Sequence, residues 1–304
     1  MELQEDNLVR LANPSLLGEN PAIQPEWLSS YLIQNHACFY EKILIVLQAR
    51  SITEANSNFL VTTELPAEIG SFETTHISQG HYRIGARDNE IVFDNEQPVQ
   101  MVELSNYRIA LKPVSNSAYL AFMTDGGYSE KSLWSEEGWA WNQGSHQHPW
   151  HWQKNTNGLW FGIGVTGPSE LPAGEPVMGV NHYEAEAFSN WLSQQQEQFS
   201  GAVLQHEYQW EIAARLGVIE QTGRVREWSS SRFHPYPGYK APAIDELATD
   251  EINQPDYMTA KGVSLHSQPS IRRTSIRMPI KPHQQQWLTG ARLVFPPGKP
   301  FWEQ

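Results

Sequence analysis

Cysteine is nearly absent from this sequence. Cys38 is the single one in 304 residues, which excludes an internal disulfide framework and every zinc site built on several cysteines. Positive charge is scarce too. The 21 Lys and Arg face 34 Asp and Glu, for a formal net charge of −13, and so acidic a chain is a poor partner for nucleic acid or an anionic membrane. No run reaches the roughly 18 consecutive apolar residues of a membrane span. The start, MELQEDNLVRL, lacks the basic region and apolar core of a secretory signal, so a cytoplasmic location is expected. There is also no Gly-rich nucleotide loop, no serine elbow and no HExxH helix.

What is present is aromatic and turn-rich. Twelve Trp and 20 Pro accompany 39% hydrophobic and 18% charged residues, a globular composition whose loops are pinned by aromatic rings. The length permits one large domain, or a domain with an appendage. Residues 1–24 read as a cap or loop. Pro25 suits a first helical turn, and Trp27, Leu28, Tyr31 and Leu32 open a stripe predicted to be buried, continuing through Phe39, Ile43, Val46 and Leu47. One long helix, or two joined near Asn35, fits equally. Residues 50–75 are linker-like, and short strands and turns follow. PVSNSAYLAFMTDGGY predicts a helix capped by Ser115 with Tyr119 and Phe122 inward, ended by Gly126-Gly127. Residues 133–162 carry no lasting period and read as a structured loop region with short strands. NHYEAEAFSNWL predicts a helix with Asn181 as cap and Glu184 in the capping-box position, EYQWEIAARLG predicts another, and LTGARLVF closes with a strand.

Three constellations carry candidate chemistry. His36 and Tyr40 lie one turn apart on a helix, where they either contribute to a metal site or pack as an aromatic pair. In SHQHPWHW, His146, His148 and His151 are dense enough to hold zinc, copper or iron if the segment folds back; loop filling is the plain alternative. Arg272, Arg273, Arg277 and Arg292 cluster in a chain poor in bases, which means either buried ion pairs or recognition of a substrate carboxylate.

The order of motifs resembles the C-terminal domain shared by formylglycine-generating enzymes and ergothioneine-pathway sulfoxide synthases. The pieces are RIGARDNEIVFDNEQP (83–98), PVSNSAYLAFMTDGGYSEKSLWSEEGWAW (113–141), PVMGVNHYEAEAFSNWL (176–192), EYQWEIAARLG (207–217), GRVREWSSSRFHPYPGY (223–239), and SIRMPI with TGARLVF (275–295). DGGY, the LW…GWAW string and PYPGY are closer to the sulfoxide synthases.

The resemblance implies an α+β, complex C-type-lectin-like fold of the formylglycine-generating type, low in regular structure, over residues 61–304. A helical remnant and linker of the family's iron domain would occupy 1–60. It also implies a three-histidine iron site whose helix reads His-x-x-x-His-x-Glu. Here His36 matches the first ligand, Tyr40 stands at the second and Lys42 replaces the glutamate. Phe233 stands where many family members carry a catalytic tyrosine, with Tyr236 retained. Arg224 replaces an asparagine, which puts a calcium site in doubt, and Cys38 lies outside the domain in which the formylglycine enzymes hold copper. The expectation is a divergent sulfoxide-synthase-like protein that lacks a complete iron site and binds a small amine, amino acid or peptide, or a partner: a second copy or an iron-domain protein. The alternative is a non-heme iron or copper oxidoreductase. Fe(II), copper and calcium are the candidate metals, with His36, His146, His148 and His151 as ligands. The expected substrate pocket is walled by Trp139, Trp141, Trp152, Phe233, Tyr236 and Arg277, its rings suited to an organic cation.

Overall fold

The computed structural model describes residues 25–297, apart from 56, 88, 89, 146, 243–247, 250 and 253, together with residues 9 and 13. Helix α1 runs unbroken over Pro25–Glu54. It contains no glycine and no proline beyond Pro25, so nothing interrupts it near Asn35.

Beyond α1 come β1 (Thr74–Ile77), β2 (Gly80–Ile84), β3 (Gln100–Leu104), β4 (Tyr107–Ala110), α2 (Asn116–Thr124), α3 (Glu136–Asn142), β5 (Trp152–Lys154), β6 (Trp160–Gly164) and β7 (Gly167–Ser169). Then follow α4 (His182–Leu192), β8 (Val203–Leu204), α5 (Glu207–Arg215), β9 (Arg226–Arg232), β10 (Met258–Lys261), β11 (Arg277–Ile280), β12 (Thr289–Ala291) and β13 (Leu293–Phe295). The strands form small sheets in the orders β1-β4-β13-β8, β11-β10-β9-β12, β2-β3 and β5-β6-β7. Pairing is antiparallel except between β12 and β9. The last strand, β13, lies between β4 and β8 and so completes the sheet that β1 opened.

The expected caps are in place. Ser115 Oγ accepts from Ala118 N at 3.2 Å. Asn181 accepts from Glu184 N at 2.9 Å while Glu184 accepts from Asn181 N at 2.7 Å, a complete capping box. Between them α2 and α4 build the core: Tyr119 stacks on Phe188 with centroids 5.8 Å apart, and Phe122 meets Phe188 edge-on at 5.8 Å. Helix α3 lies within the stretch read as loop. Its seven residues are too few to display a period, and its cap, Ser135 accepting from Gly138 N at 3.2 Å, is the one local sign of it.

Helix α1 departs from the predicted stripe. Its covered face carries Gln34, Ala37, Glu41 and Gln48, all buried. Gln34 donates to the Ile91 carbonyl at 2.9 Å and Gln48 to the Ile163 carbonyl at 2.8 Å. Between these ends Arg226, from the start of β9, reaches Glu41 at 2.6 Å with both side chains almost wholly buried, and Ser267 donates to the same carboxylate. Phe39, Ile43, Val46 and Leu47, expected inside, face solvent instead, at 61%, 57%, 66% and 42% exposure. Polar residues that reach backbone carbonyls and a buried arginine have set the helix's rotation, and its apolar side is turned out.

Buried charge recurs throughout. Arg292 pairs with Glu227 at 2.7 and 2.9 Å and donates to the carbonyls of Ala110, Leu111 and Glu220. Lys261 meets Glu211 at 2.8 Å, and Arg273 pairs with Glu96. The arginine cluster is thus built into the scaffold, where removing one partner strands a charge in low dielectric. Glu41→Ala or Arg226→Ala is therefore expected to cost about 3–5 kcal/mol, read from urea unfolding. The double variant Glu41→Leu with Arg226→Met is expected to cost less than either single one. Additive single costs would show that the two groups do not act as a pair.

Candidate functional site: an aromatic cleft at the end of the first helix

The turn residues NTNG, between HWQK and LWFG, fold β5 and β6 into a hairpin. Its register sets Lys154 opposite Trp160 and Trp152 opposite Gly162. Helix α1 ends against this hairpin: Gln153 Nε2 donates to the Ile52 carbonyl at 3.3 Å, and Ser51 Oγ to the Val165 carbonyl at 3.3 Å. Where the two meet is a cleft of about 580 Å³, lined by Ile52, His148, Trp150, Trp152, Gln153, Lys154 and Trp160. The Lys154 ammonium lies 4.8 Å from the Trp160 ring centroid, and the His148 ring lies 5.4 Å from Trp160 on centroids. Trp152 is fully buried and meets Trp160 at 5.9 Å and Tyr119 edge-on at 6.4 Å.

In a chain of net charge −13, none of these lining residues is acidic. An ammonium ligand would find rings but no counter-charge, whereas a carboxylate would meet Lys154. Behind the cleft lies a buried polar relay. Gln285 Nε2 donates to the His148 carbonyl at 3.3 Å and to both Glu184 oxygens at 2.9 Å. Tyr128 donates to Glu184 at 2.5 Å and shares a 2.8 Å hydrogen bond with Tyr119.

The predicted site residues fall in three places. Trp152 lines the cleft. Trp139 and Trp141 sit on α3, where Trp141 packs on Trp134 and Tyr183 at centroid distances of 6.3 and 6.4 Å. Phe233, Tyr236 and Arg277 form a buried stack of their own. The Arg277 guanidinium lies 4.9 Å from the Phe233 centroid and 4.1 Å from that of Tyr236, while Glu207 holds it at 2.6 and 3.0 Å. Its remaining donors go to the carbonyls of Asn95 and His234 at 2.8 Å. Trp160, Lys154, Gln153 and Ile52 were not singled out from sequence; the hairpin turn between two Trp-bearing runs was the signal that carried Trp160 and Lys154.

The metal candidates do not gather. His36 is exposed on the outward side of α1 with Tyr40. Ile52, where α1 meets the cleft that His148 lines, is sixteen residues on, about 24 Å at 1.5 Å rise per residue. His151 is buried behind the cleft, its Nδ1 without a hydrogen-bond partner among the described residues. His146 lies outside the described residues, and among those described no three His, Cys, Asp or Glu side chains are grouped as a metal site requires. At the position tied to calcium, Arg224 pairs with Glu175 through Nε at 2.9 Å, so a guanidinium stands there. Among the described residues, the candidates do not fit an iron, copper or calcium centre. No helix among the described residues is long and apolar enough to cross a membrane.

The fold is that of the formylglycine-generating type. PvdO from Pseudomonas aeruginosa superposes with a TM-score of 0.50 at 15% identity, covering 78% of this chain and 98% of that one. The sulfatase-modifying factor enzyme 1-like domain matches residues 66–222, more than half of the chain, and the protein belongs to that family. Among curated relatives, the hercynine oxygenase of Mycobacterium tuberculosis is 27% identical over 261 residues, covering 70% of this chain and 58% of that protein. The hercynine oxygenase of Mycolicibacterium smegmatis is 27% identical over 250 residues, covering 66% and 56%. The chain thus spans less than two thirds of the length of these relatives.

The buried titratable groups give the site a pH signature. Burial brings His151 and His182 down to about 4 from an ordinary 6.5. The unfolded chain then binds protons that the folded one refuses, so acidification between pH 6.5 and 4 destabilises through them. Burial pushes Glu184 up to about 7 from an ordinary 4.5, and pushes Glu186 there with help from Glu137. The folded state takes up these protons first, so acidification between pH 7 and 4.5 stabilises through them. Burial lowers His206 and His266 as well, so between pH 6.5 and 5 the two glutamates offset only part of the acid destabilisation and a modest fall in melting temperature is predicted. Glu184→Gln removes one stabilising slope, and its melting temperature is expected to fall more steeply over that range. Parallel profiles for the two proteins would show that Glu184 does not titrate there.

Proposed function

We propose that this protein is a sulfoxide-synthase-like member of its family whose own residues do not assemble a three-histidine iron centre, and that it binds a small amino-acid-like molecule in the aromatic cleft. The observation that carries this reading is the chemistry of the cleft: ring-walled, open beside Lys154, and free of lining carboxylates. The carboxylate of such a ligand meets Lys154, and its planar or apolar body lies between Trp150, Trp160 and Ile52. Aromatic walls alone suit an organic cation, but the one charged lining residue, Lys154, repels it, so the acid is favoured over the matching amine. The stack at Phe233 supports the same reading. Phenylalanine there has no proton to donate, it is fully buried, and its ring is occupied by an arginine already paired with Glu207.

A second reading, a non-heme iron or copper oxidoreductase, is favoured by one observation: His36 stands exposed on α1, where ligands from another molecule can reach it.

Titration calorimetry with phenylacetate and phenethylamine tests the first reading. Phenylacetate is expected to bind at least tenfold more tightly, about 1.4 kcal/mol. Lys154→Glu is expected to reverse the order, and Trp160→Ala to weaken both. Equal or absent binding of the two probes, or binding indifferent to Trp160, would refute the cleft assignment. Metal analysis of the purified protein separates the readings: stoichiometric iron or copper that is lost in His36→Ala would establish the second.

A further inference from the structure

The outward face of α1 carries an exposed apolar run. Along it Ile33, His36, Tyr40, Ile43, Leu47 and Arg50 follow one another at the three- and four-residue spacing of one helix face, the spacing that the seam of a two-helix coiled coil uses. Phe39 and Val46 flank that seam, the Lys42 ammonium lying 5.5 Å from the Phe39 ring centroid. The side chains are not scattered exposures of the ordinary kind. All six of Ile33, Phe39, Tyr40, Ile43, Val46 and Leu47 are between 42% and 66% exposed, on one side of one helix.

We propose that this seam pairs with the same seam of a second copy, as an antiparallel two-helix interface about a two-fold axis between Tyr40 and Ile43. Three observations select this occupant. The first is shape: the exposed apolar side chains run along several turns of one helix face, a straight ridge that the same ridge of a second copy matches, and antiparallel pairing sets Tyr40 against Ile43 and His36 against Leu47. The second is area. The six side chains present roughly 600–700 Å² to solvent, so two copies would bury about 1,300 Å², within the range of stable specific interfaces.

The third is charge. Two copies of a chain of net charge −13 repel, and they can approach only where carboxylates are missing. Between Trp27 and Thr53 the single acidic residue is Glu41, which is buried and paired with Arg226. The polar residues on the docking side of α1 thus have a second consequence. They draw the one carboxylate inward and leave the outward face of α1 with apolar and basic side chains and no acidic one between Trp27 and Thr53. The cleft lies at the C-terminal end of the helix, around Ile52.

Sedimentation equilibrium and light scattering on the full chain test the proposal. A dimer is expected at micromolar concentration, tightening at least severalfold when salt is raised from about 50 to 500 mM as the self-repulsion of two acidic chains is screened. Ile43→Asp and Leu47→Asp are expected to give monomers whose melting temperature at low protein concentration and phenylacetate binding match the parent, because both side chains point outward. Ile43→Leu, which keeps the seam apolar, is expected to remain dimeric. A monomer at about 100 µM would overturn the proposal, whether residues 1–24 cover the seam or another protein does. So would a dimer that both aspartate variants leave intact, since it would use another surface.

Discussion

The contact on which the rest of the arrangement turns is the buried pair between Glu41 and Arg226. It joins the middle of α1 to the first residue of β9, across 185 positions of sequence, and the guanidinium also donates to the Gly262 carbonyl at 2.8 Å. Both charges are out of water, so the pair adds little net stability compared with an apolar contact of the same size. What it fixes is orientation. Any rotation of α1 that brings Phe39 or Ile43 inward carries Glu41 into solvent and leaves Arg226 buried without its partner. The apolar face left outside is substantial. Turning it inward would uncover Ala37 and the polar contacts on the face that α1 now buries, so the gain from rotation is only the difference between two faces. A single helix docked on the domain cannot satisfy both demands, and the polar one has been met within the chain.

The same device holds the domain itself. Its strands run from two to seven residues and its sheets never exceed four strands, so long ladders are not what unites it. Arg292 with Glu227, Lys261 with Glu211, Arg277 with Glu207 and Arg273 with Glu96 tie strands, helix α5 and loops that lie far apart in sequence. In each case further donors of the same side chain close onto backbone carbonyls, which satisfies groups that irregular segments cannot pair among themselves. A fold with this much loop needs charged side chains long enough to reach across it.

The cleft owes its position to the same docking. Ile52 reaches the β5–β6 hairpin because Gln48 and Ser51 bond the carbonyls of Ile163 and Val165, so the rotation that exposes the outer seam also delivers the helix end to the site. Membership of the sulfatase-modifying factor family leaves this open, since the domain match begins at residue 66 and one wall of the cleft comes from α1.

Much was determined by sequence alone. Ser115, Asn181 and Glu184 wrote the starts of α2 and α4, because a cap is a local hydrogen bond between residues three apart. The order of motifs from 83 to 295 was enough for the fold family, since that pattern is held in the chain itself. That Trp152 stands among other aromatic rings was legible from their density in the sequence around it. Tertiary structure decided the rest. Whether Arg277 meets a ligand or Glu207 depends on a partner 70 positions away, and no periodicity records such a distance. The face α1 buries was decided likewise. Its apolar stripe is plain in the sequence, but hydrophobic spacing says which residues share a side, not which side meets the domain. That was set by one arginine on a distant strand, for which the helix offered a single carboxylate between Trp27 and Thr53.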